Sequence, residues 1–158
     1  MNAYRRPSLK YPWLPLVYGG ACMASVVMEQ YIAPGTLLQL QGLFPVIAGC
    51  LIATLAVALD LWAVNTMIGL DTPIRLDRCA RRLVTEGPYR YTRNPIYLSY
   101  TLLMIGGALI FGNEWMLLAA PLTALVTTSI AIRKEEMHLL LRFGVDFERY
   151  CRRTRRWI

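Results

Sequence analysis

The run Gly87-Pro88-Tyr89-Arg90-Tyr91-Thr92-Arg93-Asn94-Pro95-Ile96-Tyr97 gathers phenol rings, guanidinium groups and an amide between apolar stretches; further on, Glu135-Glu136 supplies adjacent carboxylates. These groups suit a ligand that is cationic at one end and flat and aromatic at the other. Carboxylates accept hydrogen bonds from an ammonium group. Tyrosine faces stack on a flat ring or attract an onium cation by cation–π contact. The plainer reading is an interfacial aromatic belt beside a solvated charge run, with Arg133-Lys134 pairing locally with the glutamates. Gly87-Pro88 signals a turn, and Pro95 biases Asn94 away from helical geometry, so the run reads as a loop that feeds a helix.

The elements that must position these groups are apolar. The chain has 158 residues, an apolar fraction of 56% and a net charge of +7, and its mean hydropathy is +0.38. Length implies one domain, and the hydropathy lies above the norm for soluble proteins. Four stretches are apolar enough to cross a bilayer, at about 14–32, 40–64, 96–111 and 115–132. The third is short against the ~20 residues of a standard span, and is expected to gain length by extending at one end or by local bilayer thinning. The expected fold is an all-α integral membrane protein with four transmembrane helices. A cofactor-binding loop at 65–95 and a helical extension at 133–158 complete it. Nothing in the sequence breaks a helix between Ile132 and Gly144, so the last span should continue past the membrane to a stop at Gly144.

Basic residues set the expected topology. All 17 Lys and Arg fall before the first span, between the second and third, or after the fourth; the connections 33–39 and 112–114 hold none. By the positive-inside rule both termini and the middle loop are cytoplasmic, in an inner membrane of bacterial or archaeal type. Arginines interleaved with apolar spans form no continuous basic face, which argues against nucleic acid and for lipid headgroups as partners. Arg5-Arg6 ahead of an apolar run has the look of a signal sequence, but no small-x-small cleavage site comes after it, so an uncleaved first span is expected. Trp157 beside Arg155 and Arg156 suits an interfacial anchor. His138 is the sole histidine and the four cysteines share no ligand spacing, so no metal site is expected.

The segment from Leu83-Val84 through Gly87-Pro88-Tyr89 to Arg93-Asn94-Pro95-Ile96-Tyr97 resembles the hallmark of the isoprenylcysteine carboxyl methyltransferase and phospholipid methyltransferase superfamily. Glu135-Glu136, Phe143-Gly144 and Tyr150 resemble its second hallmark. The likeness covers about residues 65–158. It implies an S-adenosylmethionine site lined by Leu83, Val84 and Tyr89, with Asn94, Pro95, Ile96 and Tyr97 as a second wall. Glu135 would bind the ammonium of the methionine moiety, with Glu136 in support. Asn94 stands where eukaryotic prenylcysteine enzymes have His. Those enzymes also carry a substrate-binding Arg four residues before the paired glutamates, where this chain has Ala131; Arg93 or Arg133 would have to replace it.

The expected reaction is methyl transfer to a lipid-dissolved or small apolar acceptor: a prenylcysteine-type carboxylate, a phospholipid amine or a thiol. Arg93 and Glu136 are the candidate catalytic residues. Where a base is needed, Glu136, Asp60 and Tyr97 are all open. The alternatives are an NADPH-dependent membrane reductase, against which the absence of a Gly-x-Gly-x-x-Gly run speaks, and a non-catalytic scaffold. Oligomeric state is open, because Gly106, Gly107 and Ala108 would serve packing within or between chains.

Overall fold

A computed structural model describes residues 13–32, 42–70 and 82–158. The basic N-terminus, the connection 33–39 and the loop segment holding Arg75, Arg78 and Arg81 lie outside these. Helix α1 runs Trp13–Tyr31, α2 Leu43–Gly69, α3 Pro95–Phe111 and α4 Glu114–Thr127. A π turn, Thr128–Ile132, joins α4 without a break to α5, Arg133–Phe143, and α6 covers Val145–Arg153. No β-strand occurs among the described residues, only an isolated parallel bridge between Thr92 and Arg155.

Two helices are long and apolar enough to cross a bilayer: α2, with 27 residues, and the continuous rod Glu114–Phe143, with 30. Helix α2 runs past the expected end at Val64 to Gly69, taking the first residues of the expected loop into the helix. Helix α3 adds only Pro95 to its expected bounds, so of the two expected accommodations extension at one end is not the one it uses. It has 17 residues, begins at Pro95 because Asn94 is held at φ −132°, and ends where Gly112 turns left-handed at φ +68°. The rod ends at Gly144, as its sequence requires, with φ +52°.

Helix α3 is the centre of the bundle and packs against each of the other three long helices. Against α2 the contact is backbone to backbone. A Cβ placed on Gly49 would stand 2.7 Å from the Gly106 carbonyl oxygen, and one on Gly106 would stand 2.9 Å from that of Gly49. Gly106 thus serves packing within the chain. So does Ala108, which is wholly buried, while Gly107 faces Met116. On the other side Tyr18 of α1 shares a 2.6 Å hydrogen bond with Thr101 of α3. Asn113 caps α4 by accepting the Met116 N–H at 2.7 Å, and its amide donates to the Ser25 carbonyl of α1. The outward faces are apolar and exposed, with Leu51, Leu55 and Leu61 along α2 and Leu122 and Leu125 along α4. Aqueous solvent would oppose such a surface and lipid would cover it.

The glycine seam gives a direct check. Gly106→Val should lower stability in detergent by about 1–3 kcal/mol, because the new side chain forces α2 and α3 apart. Gly20→Ala, with open space around it, should stay within about 1 kcal/mol of the parent. Thermal unfolding of the two variants measures the contrast.

Candidate functional site

The loop leading to α3 is moulded on the end of α2. Gly87, at φ +58°, opens the short 3-10 turn Gly87–Arg90 and sits against Thr66, whose Oγ1 would lie 2.5 Å from any Cβ there. Only glycine combines that conformation with that proximity. Pro88 and Pro95 are almost fully buried. Tyr91 projects outward and meets the Trp62 ring at 6.3 Å, while Tyr89 and Tyr97 turn inward.

The chain's last residues close over this loop. The Arg93 N–H donates to the Arg155 carbonyl at 3.0 Å, and the Asn94 amide donates to the Arg156 carbonyl at 2.9 Å. Thr92 Oγ1 reaches the same Arg156 carbonyl at 3.2 Å, and the Tyr150 hydroxyl donates to the Tyr89 carbonyl at 2.7 Å. Apart from Tyr150, which belongs to the second hallmark, no sequence signal announces this clasp. The tail reads as uniformly basic, and nothing in it distinguishes Arg156 from its neighbours. Trp157, expected as a membrane anchor, packs against the core cluster.

The two glutamates have opposite environments. Glu136 is held by Arg156 through Nε at 3.0 Å and Nη2 at 2.6 Å, and by Arg93 Nη2 at 3.4 Å. Glu135 receives the Tyr97 hydroxyl at 3.2 Å and has no cationic partner among the described residues. It lies just beyond Ile132, where the apolar part of the rod ends. Burial, which outweighs the Tyr97 hydrogen bond, and then the neighbouring Glu136 charge push its carboxyl from 4.5 up to about 7. Burial first, then Glu135, Tyr150 and Asp60, also hold the Tyr89 hydroxyl above the usual tyrosine range.

Of the residues singled out from sequence, Tyr97, Glu135, Glu136 and Arg93 thus meet at one end of the bundle, and Tyr89 stands within electrostatic reach of Glu135. Val84, Asn94 and Pro95 are buried there, with Leu83 and Ile96 half-buried. The Asn94 side chain is engaged with the tail carbonyl. Arg93 is bound up with Glu136 and the Cys151 sulfur, though its Nε is buried without a hydrogen-bond partner. No group of three or more potential metal ligands exists among the described residues.

A family model described as phospholipid methyltransferase matches residues 44–146, a span from the start of α2 to the start of α6 that contains both polar clusters. The chain belongs to that family. Membership implies a membrane methyltransferase, in keeping with the apolar rods. An uncharacterised protein of Haemophilus influenzae is 33% identical over 63 residues, which is 40% of this chain and 100% of that protein. No solved structure matches the chain. The tail that clasps the loop lies beyond the residues matched by the family.

Two outcomes test this geometry. A carboxyl whose folded pKa is raised binds protons more tightly when folded, so Glu135 should make stability fall as pH rises from 4.5 to about 7. Glu135→Gln should remove that slope in pH-dependent melting. Arg156→Gln should cost about 1–2 kcal/mol, between the values for exposed pairs and for charged hydrogen bonds, as read from the same melts.

Proposed function

We propose that the protein is an S-adenosylmethionine-dependent methyltransferase working at the cytosolic face of an inner membrane, with four spans and both termini inside. The acceptor is lipid-dissolved or small and apolar. The observation that carries this reading is the asymmetry of the glutamates: Glu136 is neutralised by two arginines, whereas Glu135 stands beside two tyrosines with no cation of its own among the described residues. A half-buried carboxylate without a counter-ion fits the ammonium of the methionine moiety, which would stabilise its ionised form.

In this reading Tyr97 orients Glu135, and Tyr89 offers its ring to the cofactor, with Leu83 and Val84 as apolar lining. S-adenosylmethionine, when bound, supplies an electrophilic methyl group on a sulfonium. The protein's part is positioning, which can lower a bimolecular barrier by up to ~7–11 kcal/mol. Glu136, Arg93 and the tail keep the loop in place, and the apolar surround excludes water from the transfer. The distribution of Lys and Arg supports the cytosolic placement, and the apolar outer faces support lateral entry of the acceptor from lipid.

Calorimetric titration of the purified protein with S-adenosylmethionine and with NADPH tests the reading: the first should bind and the second should not. Glu135→Gln should weaken S-adenosylmethionine binding by about thirtyfold, the loss typical of one partner of a desolvated charge pair. In the parent, affinity should rise with pH and level off above about 7, as Glu135 ionises. A folded parent that ignores S-adenosylmethionine would sink the proposal.

A further inference from the structure

Asp60 is the sole acidic residue of α2, and it lies on the face that α2 buries, in line with Gly49, Ala56 and Ala63. A carboxylate inside an apolar seam is costly unless it has a use. No arginine or lysine neutralises it among the described residues; its one hydrogen-bond partner there is Ser99 Oγ of α3, at 3.0 Å. That serine is itself divided. Its hydroxyl also lies 2.7 Å from the Ile96 carbonyl oxygen, the usual acceptor for a serine within a helix. One hydroxyl proton thus faces two oxygen acceptors, and the seam is a proton short.

The position is close to the proposed cofactor site. The Tyr89 hydroxyl is within electrostatic reach of both Asp60 and Glu135, and Ser99 stands two residues beyond Tyr97 on α3. The other groups considered for proton transfer are engaged: Glu136 is fixed by Arg93 and Arg156, and the Tyr97 hydroxyl donates to Glu135. Where α2 and α3 meet the loop and the tail runs an apolar groove of about 140 Å³, lined by Leu59 and Trp62 of α2, Leu98 of α3, and Tyr91 and Trp157.

We propose that Asp60 receives the proton of the methyl acceptor, and that the acceptor is therefore a proton-bearing nucleophile on an apolar chain. This rests on the methyltransferase reading. The acceptor's X–H proton passes to the Asp60 carboxylate, and the freed electron pair forms the X–CH3 bond. The S–CH3 bond of the sulfonium donor breaks with its electron pair staying on sulfur as a neutral thioether. Asp60 then gives its proton to water at the polar end of the bundle. A carboxylate acceptor needs no base, and the Asp60 charge would repel it.

The full-length protein in phosphatidylcholine nanodiscs allows the test, with dodecylamine and dodecanoate as probes and empty discs as the partition control. The parent should prefer dodecylamine by at least about tenfold, and Asp60→Asn should abolish that preference. S-adenosylmethionine affinity, measured on the same samples, should change by less than about twofold, which shows the variant folded around an intact cofactor site. Ser99→Ala keeps the carboxylate and should keep the preference. Equal affinity of the parent for both probes, or a preference that survives Asp60→Asn, would overturn the Asp60 assignment while S-adenosylmethionine binding stands. Absence of S-adenosylmethionine binding by the folded parent would overturn the methyltransferase reading and the proton step with it.

Discussion

The Glu136 carboxylate ties together three pieces of chain that are remote in sequence: the loop before α3 through Arg93, the end of the long rod through its own backbone, and the tail through Arg156. Its side chain is only 16% exposed, so water screens these charges weakly. Losing either arginine leaves the other facing Glu136; only the loss of both would leave an uncompensated charge, a heavier cost than the net contribution of either pair. The loop around Tyr89 has no regular structure beyond one 3-10 turn, and its shape depends on being held from outside. Among the described residues, Arg93 and Arg156 both go to Glu136 and no guanidinium goes to Glu135.

Beneath this polar hub, the bundle depends on how closely α2 approaches α3. Lipid offers no hydrophobic drive for two apolar helices to associate, so contact must come from close packing and hydrogen bonds. Gly49 and Gly106 supply the first, by removing every atom between the two backbones. Tyr18, Thr101, Asn113 and Ser25 supply the second on the α1 side. The same closeness brings Asp60 onto Ser99 and sets Gly87 against Thr66, so the seam and the loop share one geometry.

Much of this is legible in the sequence where local signals decide. Proline and glycine mark the start of α3 and the end of the rod, and apolar runs mark the helices. Both polar clusters stand out because tyrosine, arginine and paired glutamates are rare between such runs. The hidden part depends on register between distant segments. Arg156 looks like any other member of a basic tail expected to meet headgroups, yet its guanidinium turns inward. Asp60 looks like an end-of-helix residue, because its serine partner is set by the crossing of two helices. Bilayer thickness alone would have α3 lengthen, but its bounds are dictated by Asn94 and Gly112.

The π turn at Thr128–Ile132 acts as an angular index for the rest of the rod. Successive residues of an α-helix are offset by about 100° around the axis, and a π turn adds one residue's worth of rotation to the helix beyond it. Were those five residues to relax into α geometry, Arg133 and all beyond would swing by about that angle. Glu135 would leave Tyr97, and Glu136 would leave its arginines. Which of two chemically identical neighbours is neutralised and which is left open is decided one turn earlier, by a stretch of Thr, Ser, Ile and Ala that bears no charge.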